Sequence, residues 1–146
     1  METRKTVKRK RSLVIVIACV CLLGIAAAVS LSGAGRKPYK NLEAAQIASA
    51  QVLLSPPGRT VEIRDGEIGE LVSYLKELEI YQEDQSYTEY SGQSVVFTLT
   101  MTDGAQTEIM EYSPFLVIDG VGYRAKQEPC EALSEYANEL LEHLAQ

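Results

Sequence analysis

The sequence predicts an α+β fold: an antiparallel sheet with two helices on one face, in the order β-β-α-β-β-β-β-α, preceded by one N-terminal transmembrane helix. Three observations lead there. Residues 95–125 alternate apolar and polar side chains and are interrupted by Asp103-Gly104 and Asp119-Gly120, two hairpin signals. Residues 68–78 and 133–144 carry apolar side chains at helical spacing instead. Residues 13–31 carry no charge.

That first apolar stretch, Leu13 to Leu31, reads LVIVIACVCLLGIAAAVSL. As a helix it would reach roughly 28 Å, close to the ~30 Å hydrocarbon layer, and inside a bilayer the backbone must bond to itself. Arg4, Lys5, Lys8, Arg9, Lys10 and Arg11 precede it, with Glu2 their only acidic neighbour, and Arg36, Lys37 and Lys40 follow. This asymmetry predicts a cytoplasmic N-terminus and a body outside the cytoplasmic membrane. The expected organisation is a basic cytoplasmic segment at 1–12, an anchor at 13–31, a Gly- and Pro-containing linker at 32–40 and an extracytoplasmic domain at 41–146. An uncleaved signal anchor is the leading reading, and two others stay open. A cleaved signal peptide would use the small residues Ala26, Ala28, Ser32 and Ala34 and release a secreted form, although the apolar run exceeds the roughly 7–15 residues usual for such a segment. A lipoprotein would acylate Cys19 in Val16-Ile17-Ala18-Cys19, a lipobox-like sequence preceded by a short apolar run. Otherwise Cys19 and Cys21 are small apolar residues facing lipid.

Within the body, Ala48, Ala50, Val52 and Leu54 alternate with Ser49, Gln51 and Leu53, which predicts a strand. Ser55-Pro56-Pro57-Gly58 turns the chain, and Thr60 to Ile63 returns it. Asp65-Gly66 opens a helix with Asp65 as N-cap; Ile68, Leu71, Val72, Leu75 and Leu78 form its apolar stripe, and Glu67 and Glu70 favour its first turn. Gln82 to Ser91 is polar and Tyr-rich and is expected to be a loop. Val95, Phe97, Leu99 and Met101 make the clearest strand; Asp103-Gly104 suits a type I′ turn, and Thr107 to Tyr112 returns. Phe115 to Ile118, Asp119-Gly120 and Val121 to Ala125 repeat the device. Pro129 suits the first position of a last helix whose stripe is Leu133, Tyr136, Ala137, Leu140, Leu141 and Leu144. Short turns require antiparallel neighbours, and such a sheet needs one covered face.

Charge and cysteine usage exclude several classes. From Arg36 onward there are 8 basic and 19 acidic residues, a net charge of −11. A body so acidic would repel nucleic-acid phosphates and favour cationic partners. Cys130 is its one cysteine, so no disulfide forms within it, and with His143 as the one histidine a structural zinc site lacks ligands. No cofactor is expected: there is no Gly-rich phosphate loop and no EF-hand loop.

Two arrangements bear on catalysis. Ser73-Tyr74-Leu75-Lys76 has the Ser-x-x-Lys spacing of penicillin-binding proteins, which on a helix places hydroxyl and amine on one face. With 11 serines and 7 lysines in the chain, about half a match is expected by chance, and the companion Ser-Asp-Asn and Lys-Thr-Gly motifs are missing. A solvated helix face accounts for both residues. Cys130 and His143 lie 13 positions apart on the last helix, roughly 19 Å of rise, so they form no dyad. Cys130 is expected to be a small residue at the helix start, partly covered by the sheet, with an intermolecular disulfide or a reactive thiol as the alternatives, and His143 exposed. Neither arrangement predicts an enzyme. Tyr81, Tyr87 and Tyr90, flanked by Glu83, Asp84 and Glu89, make an acidic aromatic loop, read first as a solvated connection and second as a candidate partner surface, since tyrosine joins an apolar body to a polar tip.

Residues 46–63 (QIASAQVLLSPPGRTVEI), 86–104 (SYTEYSGQSVVFTLTMTDG), 114–123 (PFLVIDGVGY) and 128–138 (EPCEALSEYAN) resemble a family of small uncharacterised membrane-anchored extracytoplasmic proteins from Gram-positive gut Clostridia. The resemblance implies an envelope location and a binding-type role, and assigns no ligand or catalytic residue. The functional expectation is a non-catalytic binding or sensory module of the envelope, engaging an envelope protein, a peptide or another envelope component through the sheet or the 82–91 segment. The alternatives are a cell-wall-associated enzyme or enzyme inhibitor using the Ser73/Lys76 face, or a structural envelope protein. The anchor reading requires that the mature protein keep residues 1–31; intact-mass measurement on membrane fractions checks this, and a new N-terminus near Gly33 contradicts it.

Overall fold

The computed structural model describes residues 34–143; the expected membrane span, with Cys19 and Cys21, lies outside the described residues. Among the described residues no helix is long and apolar enough to cross a membrane. They form an α+β fold in which two helices accompany a seven-stranded antiparallel open sheet.

Strand β1 (Ile47–Ser55) pairs with β2 (Arg59–Ile63) around the proline-containing turn, which Gly58 closes at φ 77° with its N–H on the Leu54 carbonyl at 2.7 Å. Ala50, Val52 and Leu54 are buried, as the alternation requires, yet so is Ile47, out of phase by one. The register shifts between Ile47 and Ser49, and this irregularity resets the pleat, leaving Ala48 exposed. A 3-10 turn at Asp65–Glu67 leads into helix α1 (Ile68–Glu77). Asp65 is not its N-cap: it lies inside the turn, where the Glu67 carboxylate accepts the Arg64 N–H at 3.0 Å.

The expected loop begins as a strand. Ile80–Glu83 is β3, so the six expected strands become seven. Only Ile80 of its four residues is buried, too little for an alternation to be read. Strands β4 (Ser94–Met101), β5 (Gln106–Tyr112), β6 (Phe115–Ile118) and β7 (Val121–Ala125) follow as hairpins, and helix α2 (Gln127–His143) ends the described chain. Asp119 and Gly120 both have positive φ, 49° and 82°, the pair a type I′ turn needs. At Asp103-Gly104 only Gly104 does (φ 87°), so the type I′ expectation fails there. That turn is longer, with the Met101 N–H on the Ala105 carbonyl at 2.8 Å and Asp103 Oδ1 accepting the Ala105 N–H at 2.9 Å. Pro129 is the third residue of α2 rather than the first, still within the turn whose N–H groups have no helical acceptor.

The sheet order is β2-β1-β4-β5-β6-β7-β3. Beyond β3, Arg36 exchanges two backbone hydrogen bonds of 2.9 Å with Ile80, and Tyr39 and Leu42 pack against the core. Residues expected as linker through position 40 therefore contribute to the fold.

The two faces are covered differently. One receives both helices: Val52, Leu54, Phe97, Leu99 and Ile109 meet Leu71, Leu75, Leu133 and Leu140 in a single buried cluster. A Tyr74–Tyr136 stack at 4.9 Å joins α1 to α2. Phe115 and Val117 are buried too but stand outside that cluster, because they point to the other face. Their cover is the segment from Asp84 through the 3-10 turn Gln85–Glu89 to Tyr90, which roofs β6 and β7. Tyr90 meets the Phe115 ring edge-on at 5.3 Å, and Tyr87 reaches it at 6.4 Å. Asp84 pins the roof: its N–H donates to the Gly122 carbonyl at 2.9 Å, and its Oδ2 accepts Arg124 Nε at 2.7 Å. The Arg124 guanidinium in turn lies 4.4 Å from the Phe115 ring centre.

The roof needs a residue without a side chain beneath it. A Cβ at Gly122 would come 2.5 Å from the Asp84 carbonyl oxygen and 2.5 Å from the Tyr87 ring. Gly122→Ala is therefore expected to lift the 84–90 segment and destabilise the domain by about 1–3 kcal/mol in chemical denaturation; an unchanged midpoint would show that the contact is not held in solution.

Candidate functional site

Where the roof ends, the second face is open. Register places its outward residues in rows across four strands. Glu62, Gln51, Thr98 and Glu108 form one row; Thr60, Leu53, Val96 and Met110 form the next. Ser49, Thr100 and Gln106 continue the first row's polar character. A hollow of about 510 Å³ lies over Ser49, Gln51, Glu62, Thr98, Thr100 and Gln106, with Arg64 and Asp65 at its margin. A smaller one, about 210 Å³, lies at the roof's margin between Tyr87, Thr88, Tyr90, Ser94, Met110 and Tyr112. Among the described residues the exposed large hydrophobic side chains are Leu53 (37%) and Tyr90 (55%), and both border this face.

The candidate tyrosines separate. Tyr87 and Tyr90 share the Phe115 ring, Tyr87 half-buried and Tyr90 presented to solvent. Tyr81 is half-buried in the edge strand β3 and takes no part in that contact. Ser73 is exposed, and its hydroxyl donates to the Glu70 carbonyl at 2.6 Å, the usual back-bond of a helical serine. Neither Ser73 nor Lys76 lines either hollow. Cys130 is 2% exposed, deeper than expected; burial, followed by the charges of Glu111 and Glu131, pushes its thiol up to about 12. A thiol so raised is a poor nucleophile. His143 is exposed at the other end of α2.

One group escaped the sequence reading. Glu111 is the charged residue that is buried among the described residues, at 5% exposure. It shares the helix-facing phase of β5 with Ile109, opposite Val95 and Leu116. Burial pushes its carboxyl up to about 7, the Ser113 N–H and Ser134 hydroxyl pull the other way, and Glu131 adds to the rise. A third hollow, about 320 Å³, opens beside it between Tyr90, Ser91, Gly92, Gln93 and the α2 residues Glu131 and Ser134. The signal was present in the alternation, since Thr107, Ile109 and Glu111 occupy the core phase of their strand. Among the described residues no group of three or more His, Cys, Asp or Glu is placed to hold a metal ion. No protein-family model, no curated protein and no solved structure matches the chain.

Glu111 makes stability depend on pH in a defined sense. Its folded pKa lies above the ordinary 4.5, so the folded state holds the proton more tightly than the unfolded state. Stability should fall as pH rises from about 4.5 to about 7 and level off beyond, by at most about 3 kcal/mol from this group. Glu111→Gln should remove that slope and raise stability at pH 8, measured by denaturant titration at several pH values; a slope that survives the substitution assigns it elsewhere.

Proposed function

We propose that the protein is a non-catalytic binding module, held at the outer face of the cytoplasmic membrane by its N-terminal segment, whose ligand docks on the open half of the sheet. The observation that carries this reading is the uneven cover of the second face. The roof stops at Tyr90, which is exposed beside the hollow at the roof's margin, and Leu53 is exposed farther along the open face, between that hollow and the larger one. An aromatic side chain at the rim of a partly apolar concavity is the usual composition of a recognition surface.

The enzyme reading has less in its favour. Ser73 donates to its own helix backbone, and neither it nor Lys76 borders the hollows described above. The net charge of −11 from Arg36 onward argues against nucleic acid as the ligand.

A photo-crosslinking residue placed at Leu53 or Thr98, compared in intact cells with one at the exposed Glu135 or Glu139 of α2, tests the docking face. Discrete adducts are expected from the sheet positions and not from the helix positions. Equal yields from both faces would remove the reading.

A further inference from the structure

We infer that the open half of the sheet binds an uncharged oligosaccharide chain, with Tyr90 as its stacking platform. This rests on the binding-module reading and adds the chemical class of the ligand.

The first argument is the placement of charge. From Arg36 onward the chain has 19 acidic and 8 basic residues. Yet the middle of the open face presents Ser49, Gln51, Thr98, Thr100 and Gln106, while the carboxylates stand around it, Glu62 and Glu108 at the two ends of the central row and Asp65 at the margin of the larger hollow. Hydroxyl and amide groups both donate and accept hydrogen bonds. A sugar hydroxyl does the same, so each can satisfy the other without a fixed charge. An anionic ligand would find Arg64 the sole cation lining the larger hollow.

The second argument is the aromatic group at the other end of the face, beside the row that ends in Met110. Tyr90 is 55% exposed, yet its ring is braced by Phe115 at 5.3 Å, so little freedom is lost when a ligand covers it. Met110 and Tyr112 share the adjoining hollow with it. A pyranose ring has the matching anisotropy: an apolar C–H face to lie on the phenol and a rim of hydroxyls to reach the amides.

The third argument is length. The face runs along β4 from Thr100 to Ser94, roughly 20 Å at a strand's rise per residue. That accommodates a chain of several sugar units. Gln106 Nε2 donates to Thr100 Oγ1 at 3.3 Å, which orients both side chains at one end of this path. An extended peptide needs backbone partners, which a sheet offers at its edges rather than on its face.

The test uses the full chain in detergent micelles and calorimetric titration with neutral hexasaccharides (a β-glucan, a mannan and an N-acetylglucosamine hexamer), a hexauronate, and neutral and cationic decapeptides. At least one neutral hexasaccharide should bind, with affinity changing less than about twofold between about 50 and about 500 mM salt, because no charge pair is formed. Tyr90→Ala and the Gln51→Ala/Thr98→Val pair should each weaken it by about tenfold or more while circular dichroism stays unchanged. Preference for the hexauronate or a peptide, binding by none of the neutral glycans, or full affinity in both variants would overturn the inference. If the glycans fail while crosslinks from Leu53 and Thr98 persist, the ligand class is wrong and the docking face stands; if both fail, so does the binding-module reading.

Discussion

The pleat sends successive side chains of a strand to opposite faces, so Phe115 and Val117, apolar residues on the face away from the helices, need a cover of their own. The helices cover the first face. The second face is closed over β6 and β7 by seven residues, 84–90, and what holds them is the carboxylate of Asp84. It accepts the Ser86 hydroxyl at 2.6 Å, the Ser86 N–H at 2.9 Å and Arg124 Nε at 2.7 Å, and those bonds, in that order of effect, hold it down at about 2. Arg124 is thereby fixed over Phe115, and Phe115 is the floor on which Tyr87 and Tyr90 rest. The exposed position of Tyr90 follows from a chain of contacts that begins at one acidic residue.

Glu111 lies on the opposite face and acts the other way. It stands at a seam where β5, the start of α2 and the 90–93 segment meet, rather than in the middle of the apolar cluster. A carboxyl there disfavours burial in its ionised form and leaves a hollow beside it. Tyr90 borders both this hollow and the one at the roof's margin. The 84–93 segment thus connects a titratable group on the helix side with the aromatic residue on the open side.

Much of this fold was legible from local pattern. The β4–β5 and β6–β7 hairpins announced themselves by alternation and Asp-Gly turns, and α1 and α2 by apolar stripes. The departures have physical causes. The irregularity at Ile47–Ser49 changes phase within a strand, which periodicity alone does not report. Strand β3 has four residues and one buried side chain, and is defined by its neighbour β7 and by Arg36 rather than by its own sequence. The site was less visible. Tyr87 and Tyr90 were found because aromatic residues in a polar segment stand out, but their floor, Phe115, lies 25 residues beyond Tyr90, and only tertiary structure joins them. Gly122 carried no signal, since its role is to be absent beneath Tyr87.

The distribution of charge ties these features together. Helix α2 alone carries Glu128, Glu131, Glu135, Glu139 and Glu142, and the outer edge strand β2 carries Arg59 and Glu62 on five residues. Charges on a short edge strand discourage pairing with another chain, and at the opposite edge Arg36 occupies the Ile80 backbone groups. Solubility and protection of the edges are therefore supplied by the helix side and the sheet's edges rather than by the middle of the open face. Nothing in the fold requires the middle of that face to be uncharged: its outward positions would accept lysine or glutamate as readily as the threonine and glutamine they hold, as Glu62 and Glu108 at the ends of the row show. A surface of hydroxyls and amides beside Leu53, Val96 and Met110, in a body that is otherwise strongly acidic, is the composition expected where charge would oppose what the surface must hold.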